Sequence, residues 1–363
     1  MRLGHFHKKK RAFLNRLKIN AVSFFFSHKE KEVWKPGDSI KSCIIVHNNK
    51  KLGDLIVLSS LYRELHKLGI KLYILTDPAG YAFLQGNNKI SGIFVKKSDS
   101  LRDITSVLKQ VGELSYDLLI DPFETLPNYR HAIVLAGIKA RHTLGFDRWY
   151  RRYYCTYNPH DENLSEHMAS RAREIMAFLT GHALTNYNTC YDIPLPEHVE
   201  ETAKAFVGVK PVVLINPFGA KKICRLSPQQ ISEIYHCVTE RLPDFRVIFT
   251  GHPADLPLIK IEGAELCPFK DFIHTVALTK YADYLISVDT ALVHIASAFN
   301  VPTLAFYPKA RTDKYPSPLV WAPNNELAVQ VIAPDCRVSD ISLEEINQTT
   351  AHFLSDKSKK AVG

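Results

Sequence analysis

Short runs of apolar residues alternate along the chain with longer segments in which apolar positions recur at helical spacing. Residues 43–47 and 72–75 are apolar runs of strand length, and the segment 54–68 between them has apolar positions three or four apart. The same alternation resumes at residues 212–216 and continues to a last helix predicted over residues 341–354. Helices that alternate with buried strands produce parallel sheets. The pattern therefore predicts an α/β fold with parallel sheets.

Two interruptions divide this pattern. Residues 141–160 are dense in Arg and Tyr, which predicts an irregular binding loop or a solvated surface. Pro194 and Pro196 lie in an extended stretch that predicts a linker, and a chain of 363 residues is long for one core. We predict four parts: a basic amphipathic leader (1–37), an N-terminal domain (38–195), a C-terminal domain (196–345), and a terminal helix end with a tail (346–363).

One strand-to-helix turn is especially rich in polar groups. The apolar run that begins at Tyr284 stops at Asp289 and Thr290, after which apolar positions recur at helical spacing until Asn300, a predicted left-handed helix stop. Such turns lie at the ligand-binding edge of open α/β sheets, where helix amides are free to bind an anion. Asp and Thr are also common N-caps, so capping alone remains an alternative at this turn.

Two further loops carry candidate chemistry. Gly53 permits a tight turn, and Asp54 at a helix start could accept a proton from an alcohol, although plain N-capping is the alternative. Lys221, Lys222 and Arg225 follow a predicted strand and could neutralise a pyrophosphate. Isolated surface lysines are more commonly solvated, so a solvated basic loop is the alternative there.

His294 lies four residues after Thr290 and therefore on the same helix face. We predict a division of roles in which Thr290 and the helix amides face a phosphate, while Asp289 faces neutral sugar hydroxyls. A single His in an apolar helix is more often a satisfied core residue than a ligand, and that alternative stays open.

Composition narrows the class of protein. The sequence contains no G-x-G-x-x-G, no G-x-x-x-x-G-K and no D-x-D, and no His/Cys spacing resembles a zinc site. Seven scattered cysteines, without a C-x-x-C pair, favour reduced thiols and hence a cytoplasmic location. Residues 1–41 carry a net charge of +8, against +9 for the whole chain, so the remainder is nearly neutral. A nearly neutral body argues against nucleic acid as a partner.

The basic leader contains an apolar stripe. Phe13, Leu17, Ala21 and Phe24 share one helical face, which predicts an interfacial helix lying on anionic lipid. A frayed basic tail and a helix packed on the body are the alternatives.

Three stretches together resemble glycosyltransferase family 9, the bacterial ADP-heptose:lipopolysaccharide heptosyltransferases. The stretches are KKLGDLIVLSSLYREL, INPFGAKKICRLSPQQISEI and ISVDTALVHIASAFNVPTLAFY. The last is similar to the family's D-T-G-x-x-H-x-A-x-A-x-x-x-P run, with Ala291 where the family most often has Gly. The resemblance covers roughly residues 42–345.

The resemblance implies a GT-B fold, in which two Rossmann-like domains with parallel sheets face each other across a cleft. It also implies an inverting transfer without a metal, with the acceptor on the N-terminal domain and the donor on the C-terminal one. On this basis Asp54 is the expected general base, and Lys221 or Lys222 the phosphate-binding lysine. The expected donor site comprises Lys221, Lys222, Arg225, Asp289, Thr290, Ala291 and His294.

The remaining expectations concern partners. We predict that Gly53, Arg148, Arg151 and Arg152 contact the acceptor, an anionic lipopolysaccharide-core sugar. The donor, ADP-heptose, is a substrate, and no cofactor or metal is expected. We expect a cytoplasmic protein that is peripheral on the inner membrane face through its leader. The alternatives are another nucleotide sugar or a protein acceptor on the same fold, and a sugar-nucleotide-binding protein without catalysis.

Overall fold

A computed structural model describes five parts of the chain: residues 13–24, 39–47, 51–158, 166–310 and 317–356. Their backbone separates into two compact units. The first comprises the described residues of Met1–Glu162 and Arg171–Tyr187, and the second those of Asn163–Ser170 and Asn188–Gly363. Each unit contains its own parallel sheet, so the predicted α/β class is confirmed.

The first unit contains six strands and the helices around them. The strands are β1 (Ser42–Val46), β2 (Lys71–Thr76), β3 (Gly92–Val95), β4 (Tyr116–Asp121), β5 (Ala140–Gly145) and β6 (Thr156–Tyr157). The helices are α1 (residues 13–24), α2 (Leu52–Val57), α3 (Ser59–Lys67), α4 (Pro78–Leu84), α5 (Leu101–Val111), α6 (Tyr129–Gly137) and α7 (Ser170–Thr180), with a 3₁₀ helix over Arg148–Tyr153.

The second unit also contains six strands with helices around them. Its strands are β7 (Val212–Asn216), β8 (Arg246–Phe249), β9 (Glu265–Leu266), β10 (Tyr284–Val288), β11 (Thr303–Tyr307) and β12 (Ala328–Ile332). Its helices are α8 (Glu197–Val207), α9 (Pro228–Arg241), α10 (Phe272–Lys280), α11 (Ala291–Ala298), α12 (Ser317–Val320) and α13 (Leu343–Ser355), with 3₁₀ helices over Leu256–Leu258 and Val338–Asp340.

Both sheets have the same strand order. The first is β3-β2-β1-β4-β5-β6 and the second is β12-β11-β10-β7-β8-β9, so each follows the order 3-2-1-4-5-6 of a Rossmann sheet, with all strands parallel. The order reverses between β1 and β4 in one unit and between β7 and β10 in the other. Ligands of open α/β sheets bind beyond the carboxyl ends of the strands at this reversal.

Several local predictions are confirmed because their backbone chemistry is specific. Ser227 caps α9 through a capping box with Gln230, and Pro228 occupies the first helical position. Ser342 accepts a hydrogen bond from the amide of Glu345 at 3.1 Å at the start of α13. Asn300 has φ 53°, the left-handed conformation expected after α11.

The prediction that residues 141–160 form an irregular or solvated segment is wrong for the two parts that form strands, and residues 159–160 lie outside the described residues. Ala140–Gly145 is strand β5, and Thr156–Tyr157 adds β6 at the sheet edge. His142 and Thr143 are buried within β5, and these polar side chains concealed the strand in the sequence. A Cβ on Gly145 would lie only 2.1–2.3 Å from atoms of the Tyr154 ring, so this strand needs glycine where the aromatic side chain packs across it.

Two other local predictions are also wrong. Residues 76–80 were expected to form a turn, but Asp77 caps α4 by accepting from the amides of Ala79 and Gly80 at 2.9 and 3.0 Å. The Pro that suggested a turn is at the first position of a helix, where its missing N–H costs nothing. The single helix predicted over residues 54–68 is two helices, α2 and α3, separated at Leu58.

Among the described residues, no helix has the length and apolar content needed to cross a lipid bilayer.

Candidate active site

The carboxyl edge of the second sheet holds three linked polar side chains. Asn216 ends β7, Ser287 lies in β10, and Thr290 is the residue immediately before α11. The Asn216 Nδ2 donates to Ser287 Oγ at 3.1 Å and to Thr290 Oγ1 at 2.8 Å. Thr290 makes no side-chain capping bond to α11. The alternative in which Thr290 serves only as a helix cap is therefore wrong, because Asn216 holds its hydroxyl at the sheet edge.

Asn216 was not recognised as a site residue in the sequence. It is buried with 2% of its surface exposed, and its Oδ1 has no hydrogen-bond partner among the described residues. A Cβ on Gly251 would lie 3.3 Å from that oxygen, so the end of β8 approaches it closely. An Asn at the last position of an otherwise apolar strand, here VVLIN, is the signal that would have identified it.

The loop after β7 carries the predicted cations close to β10. A Cβ on Gly219 would lie 2.6 Å from the backbone oxygen of Cys224 and 3.5 Å from that of Asp289, so the loop and the β10 turn are in close contact. Burial and the charge of Asp289 raise the pKa of the Cys224 thiol to about 11, and the charge of Lys221 opposes that rise. Lys221 thus acts electrostatically at this turn. Lys221 and Lys222 are both exposed.

Arg225 braces this loop. Its Nη1 and Nη2 form a bidentate ion pair with Asp255 at 3.0 and 2.9 Å, and its Nε donates to the carbonyl of Gly219 at 3.1 Å. A guanidinium engaged in this way is held rigidly and its charge is largely balanced. Arg225 shapes the loop that carries the lysines, and its direct contact with a donor stays a prediction.

His294 lies one turn into α11, beneath Thr290 and the half-buried Ala291. It is buried among the rings of His167, Tyr191 and Trp321, with ring centroids 5.9–6.4 Å away. Burial, and secondarily the charge of His167, lower the pKa of His294 to about 3, so its ring is neutral.

The Nδ1 of His294 is buried and has no hydrogen-bond partner among the described residues. The alternative of a fully satisfied core histidine is therefore wrong for this nitrogen. Buried polar atoms normally find partners, and exceptions often mark functional positions.

The carboxyl edge of the first sheet holds a buried carboxylate. Asp54 lies in the first turn of α2, behind Gly53, and only 3% of its surface is exposed. Lys51 is the N-cap residue of α2, so the alternative of Asp54 as a plain N-cap is wrong. Burial and the charge of Asp54 raise the pKa of Tyr62 well above its usual range.

A buried histidine that was not singled out in the sequence supports this turn. The Nε2 of His47 lies 3.0 Å from the carbonyl of Lys51, and its Nδ1 lies 3.2 Å from Thr76 Oγ1. Burial lowers the pKa of His47 to about 4, so the ring is neutral. Because a carbonyl only accepts, Nε2 carries the hydrogen and Nδ1 accepts from the threonine. His47 thereby holds the carbonyl of Lys51 in place. The amide of Asp54 donates to the same carbonyl at 3.2 Å.

A second carboxylate network, which sequence reasoning missed, lies at the end of β4. Asp121 Oδ2 accepts from Tyr154 and lies 2.9 Å from His131 Nε2. Nearby, Asp147 accepts from the amides of Thr125 and Trp149 at 2.7 and 2.9 Å. Burial raises the pKa of Asp147 to about 6 despite these bonds. The edge of the first sheet is therefore rich in carboxylates.

The predicted acceptor arginines lie on the 3₁₀ helix of the first unit. Arg148, Arg151 and Arg152 are all exposed. The guanidinium carbon of Arg148 lies 4.9 Å from the centroid of Trp149, and that of Arg151 lies 5.5 Å from the centroid of Tyr157. These cations are accessible to an anionic partner.

Two Rossmann-type units, each with polar groups at the reversal point of its sheet, are the components of the GT-B fold. The comparisons place the chain more narrowly. The model of glycosyltransferase family 9 (heptosyltransferase) matches residues 104–343, and the chain belongs to this family of enzymes.

Relatives in sequence and structure agree with this assignment. The chain is 48% identical over 349 residues to the "Putative lipopolysaccharide heptosyltransferase 4" of Escherichia coli (strain K12), covering 96% of this chain and 97% of that protein. Among solved structures, a family 9 glycosyl transferase from Veillonella parvula DSM 2008 has a TM-score of 0.72 at 16% identity, covering 88% of this chain and 99% of that one. The E. coli heptosyltransferase WaaC with ADP has a TM-score of 0.67 at 14% identity, covering 89% and 100%.

Proposed function

We propose that this heptosyltransferase-family enzyme transfers heptose from ADP-heptose to an inner-core sugar of lipopolysaccharide, with inversion and without a metal ion. One observation carries the proposal. The chain combines a buried carboxylate, Asp54, at the edge of one Rossmann sheet with hydroxyl and lysine groups at the edge of the other. The names of its relatives supply the sugar: E. coli WaaC was solved with ADP and with ADP-2-deoxy-2-fluoro heptose.

The second unit is the proposed donor site. The Thr290 hydroxyl and the first amides of α11 are suited to the pyrophosphate, because a helix N-terminus favours anions. Lys221 supplies the positive charge that stabilises the departing ADP. Asp289 faces neutral sugar hydroxyls as an acceptor, since its charge would repel a phosphate. His294 Nδ1 can accept or donate one further hydrogen bond, and the bound nucleotide sugar could supply its partner.

The first unit is the proposed acceptor site. Asp54 takes the proton from the acceptor hydroxyl as that oxygen bonds to the anomeric carbon, while the bond from the carbon to the ADP oxygen breaks on the opposite side. This displacement inverts the configuration, and the electron pair of the broken bond leaves with ADP. Gly53 precedes the base within the first turn of α2, so the tight turn expected of this glycine is replaced by ordinary helix. Arg148, Arg151 and Arg152 offer cations to an anionic lipid-linked acceptor.

Charge on the leaving ADP is neutralised in this scheme by Lys221 and helix amides, so the proposal requires no divalent cation. A chelator in the assay should leave the turnover number within about twofold of the untreated enzyme, because no catalytic charge is removed. Turnover that is abolished by chelator and restored by Mg²⁺ or Mn²⁺ would contradict the metal-independent mechanism.

The identity of both substrates is tested by a donor and acceptor screen. Purified enzyme is incubated with ADP-heptose or another nucleotide sugar, together with truncated lipopolysaccharides, and the products are read by mass spectrometry. We expect one heptose to be added from ADP-heptose. Addition of a different sugar, or of a sugar to a protein, would instead establish one of the alternative transfers. Donor binding without turnover on any acceptor would indicate a non-catalytic binding protein.

A further inference from the structure

Helix α1 is docked on the first unit through one face. Ile19 is 3% exposed and belongs to the core of that unit. The Asn15 Nδ2 donates to the carbonyl of Pro127 at 2.9 Å, and the Tyr153 hydroxyl donates to the carbonyl of Ile19 at 2.6 Å. These contacts confirm the alternative of a helix packed on the body for residues 13–24. The rest of the predicted leader lies outside the described residues.

The opposite face of α1 is apolar and exposed. Phe13, Leu14, Leu17 and Phe24 expose 60%, 45%, 51% and 71% of their surface. We call these four residues the outer face of α1. A docked helix that also exposes four large apolar side chains has more apolar surface than packing requires. Clustered apolar exposure of this kind marks a site of interaction.

Cations border this outer face. The guanidinium carbon of Arg16 lies 4.0 Å from the centroid of Trp149, and that of Arg148 lies 4.9 Å from the same ring. Lys18 Nζ lies 4.9 Å from the centroid of Tyr129. The helix and the 3₁₀ helix of the first unit thus meet at Trp149 and present their positive charges together.

We infer that the outer face of α1, together with Arg16, Lys18 and Arg148, is a docking surface for an anionic lipid bilayer. Exposed Phe and Leu beside Arg and Lys is the pattern of a helix that lies in the interface of a membrane. The high charge of residues 1–41, a net +8, is complementary to anionic headgroups. An apolar patch with Arg16 and Lys18 at its borders suits such a surface better than a neutral protein partner.

This inference deepens the proposed function, since a lipid-anchored acceptor is displayed at the same surface. It is tested separately, because vesicle binding needs neither donor nor acceptor. Protein that binds vesicles but transfers no heptose would leave the inference intact. Protein that transfers heptose in solution but ignores vesicles would overturn the inference alone.

The apolar part is tested by co-sedimentation of the full chain with vesicles of phosphatidylethanolamine containing about one quarter phosphatidylglycerol. The double variant Phe13→Glu with Leu17→Glu should bind these vesicles about tenfold more weakly. It removes two apolar side chains that would enter the bilayer and adds two negative charges that the anionic headgroups repel. The control is Leu258→Glu, which alters an equally exposed leucine of the second unit, 56% exposed. It should bind like the wild type.

The charged part is tested with Arg16→Ala and Arg148→Ala combined, the two exposed arginines that share the Trp149 ring. The matched control is Arg102→Ala with Lys109→Ala, two exposed cations of α5. Only the first pair should weaken binding, by about fivefold or more at low salt, and raising the salt should reduce wild-type binding. Vesicles of neutral phosphatidylcholine should bind little protein.

Wild-type protein that fails to sediment with anionic vesicles overturns the inference, as does unchanged binding of the Phe13 and Leu17 variant. Loss of binding with the arginine pair alone would indicate a headgroup or phosphate contact without a docking face, and also overturns it. Thermal melting checks folding. If the Glu variant has a lower melting temperature than the wild type, Phe13→Ser with Leu17→Ser repeats the test without added charge.

Discussion

The two units share a strand order but differ in the chemistry of their carboxyl edges. The first sheet ends in carboxylates and buried imidazoles, among them Asp54, Asp121 and His47. The second ends in an amide and hydroxyls, Asn216 with Thr290, beside exposed lysines. One edge is therefore suited to accepting a proton and the other to holding an anion.

The comparison teaches that the fold fixes where a site lies but not what it does. In both units the reversal of strand order leaves a crevice at the ends of the central strands. The residues placed there then determine the reaction. The exception is Asp289, a carboxylate on the anion-binding side, which we assign to sugar hydroxyls.

Asp54→Asn should separate the two edges most clearly. Removal of the base should lower turnover by about 10²–10⁴-fold, since general base catalysis contributes that much. The dissociation constant of ADP, measured by calorimetry, should hardly change because the donor edge is intact. Turnover near the wild-type value would remove Asp54 from its role. Asp103→Asn, in the first turn of helix α5 of the same unit, is the control.

Lys221→Ala and Lys222→Ala should differ from each other. Lys221 acts on the Asp289–Cys224 turn, so its loss should weaken ADP binding by about 10–100-fold, the value of a hydrogen bond to a charged group. Lys222→Ala should change binding far less. Calorimetry with ADP gives both constants. Normal binding by both single variants and by the double variant would mean that this loop is only a solvated basic surface.

Acidification should destabilise the second unit before the first. His294 has a folded pKa of about 3 and an unfolded pKa near 6.5, so the unfolded chain binds the extra proton between these values. Stability is then full above about pH 6.5 and falls by up to about 1.4 kcal/mol per pH unit as the pH decreases.

The first unit contains opposing groups. The pKa of His47 is lowered to about 4, so acidification lowers the stability of the first unit through this residue. The pKa of Asp147 is raised to about 6, so acidification raises the stability of the same unit through that residue. Hydrogen exchange at a series of pH values reports the stability of each unit. The variant His294→Gln should remove much of the loss in the second unit. An unchanged pH dependence in that variant would mean that His294 is not held neutral by burial.

Asn216→Ala should have the smallest effect. It removes the hydrogen bonds that hold Thr290, each with a net contribution of about 0.5–1.5 kcal/mol, so ADP affinity should fall by about threefold to tenfold. The control is Ser297→Ala, which deletes a buried hydroxyl of α11 in the same unit and should leave the affinity unchanged. Equal effects of the two changes would show general softening of α11 and no specific positioning of Thr290.

Much of this architecture could be predicted because it depends on local patterns. The strand-to-helix turn at Asp289 and Thr290, and the cap at Ser227, follow from apolar runs and backbone chemistry close in sequence. The strand with His142 and Thr143 could not be predicted, because its buried polar residues give it the polar sequence pattern that is typical of a loop. Asn216 and His47 were missed for another reason. Their importance comes from partners at positions 290 and 51, and the partnership of Asn216 with Thr290, across neighbouring strands, is visible only in the folded chain.

The division of roles between the two edges is tested most directly by hydrogen–deuterium exchange of the wild-type enzyme with and without ADP. We predict that ADP slows exchange in the segments around residues 216–225 and 287–295 of the second unit, and leaves the segment 51–58 of the first unit unchanged. Protection confined to the segment 51–58, or equal protection at both edges, would contradict the assignment of the anion-binding role to the second unit.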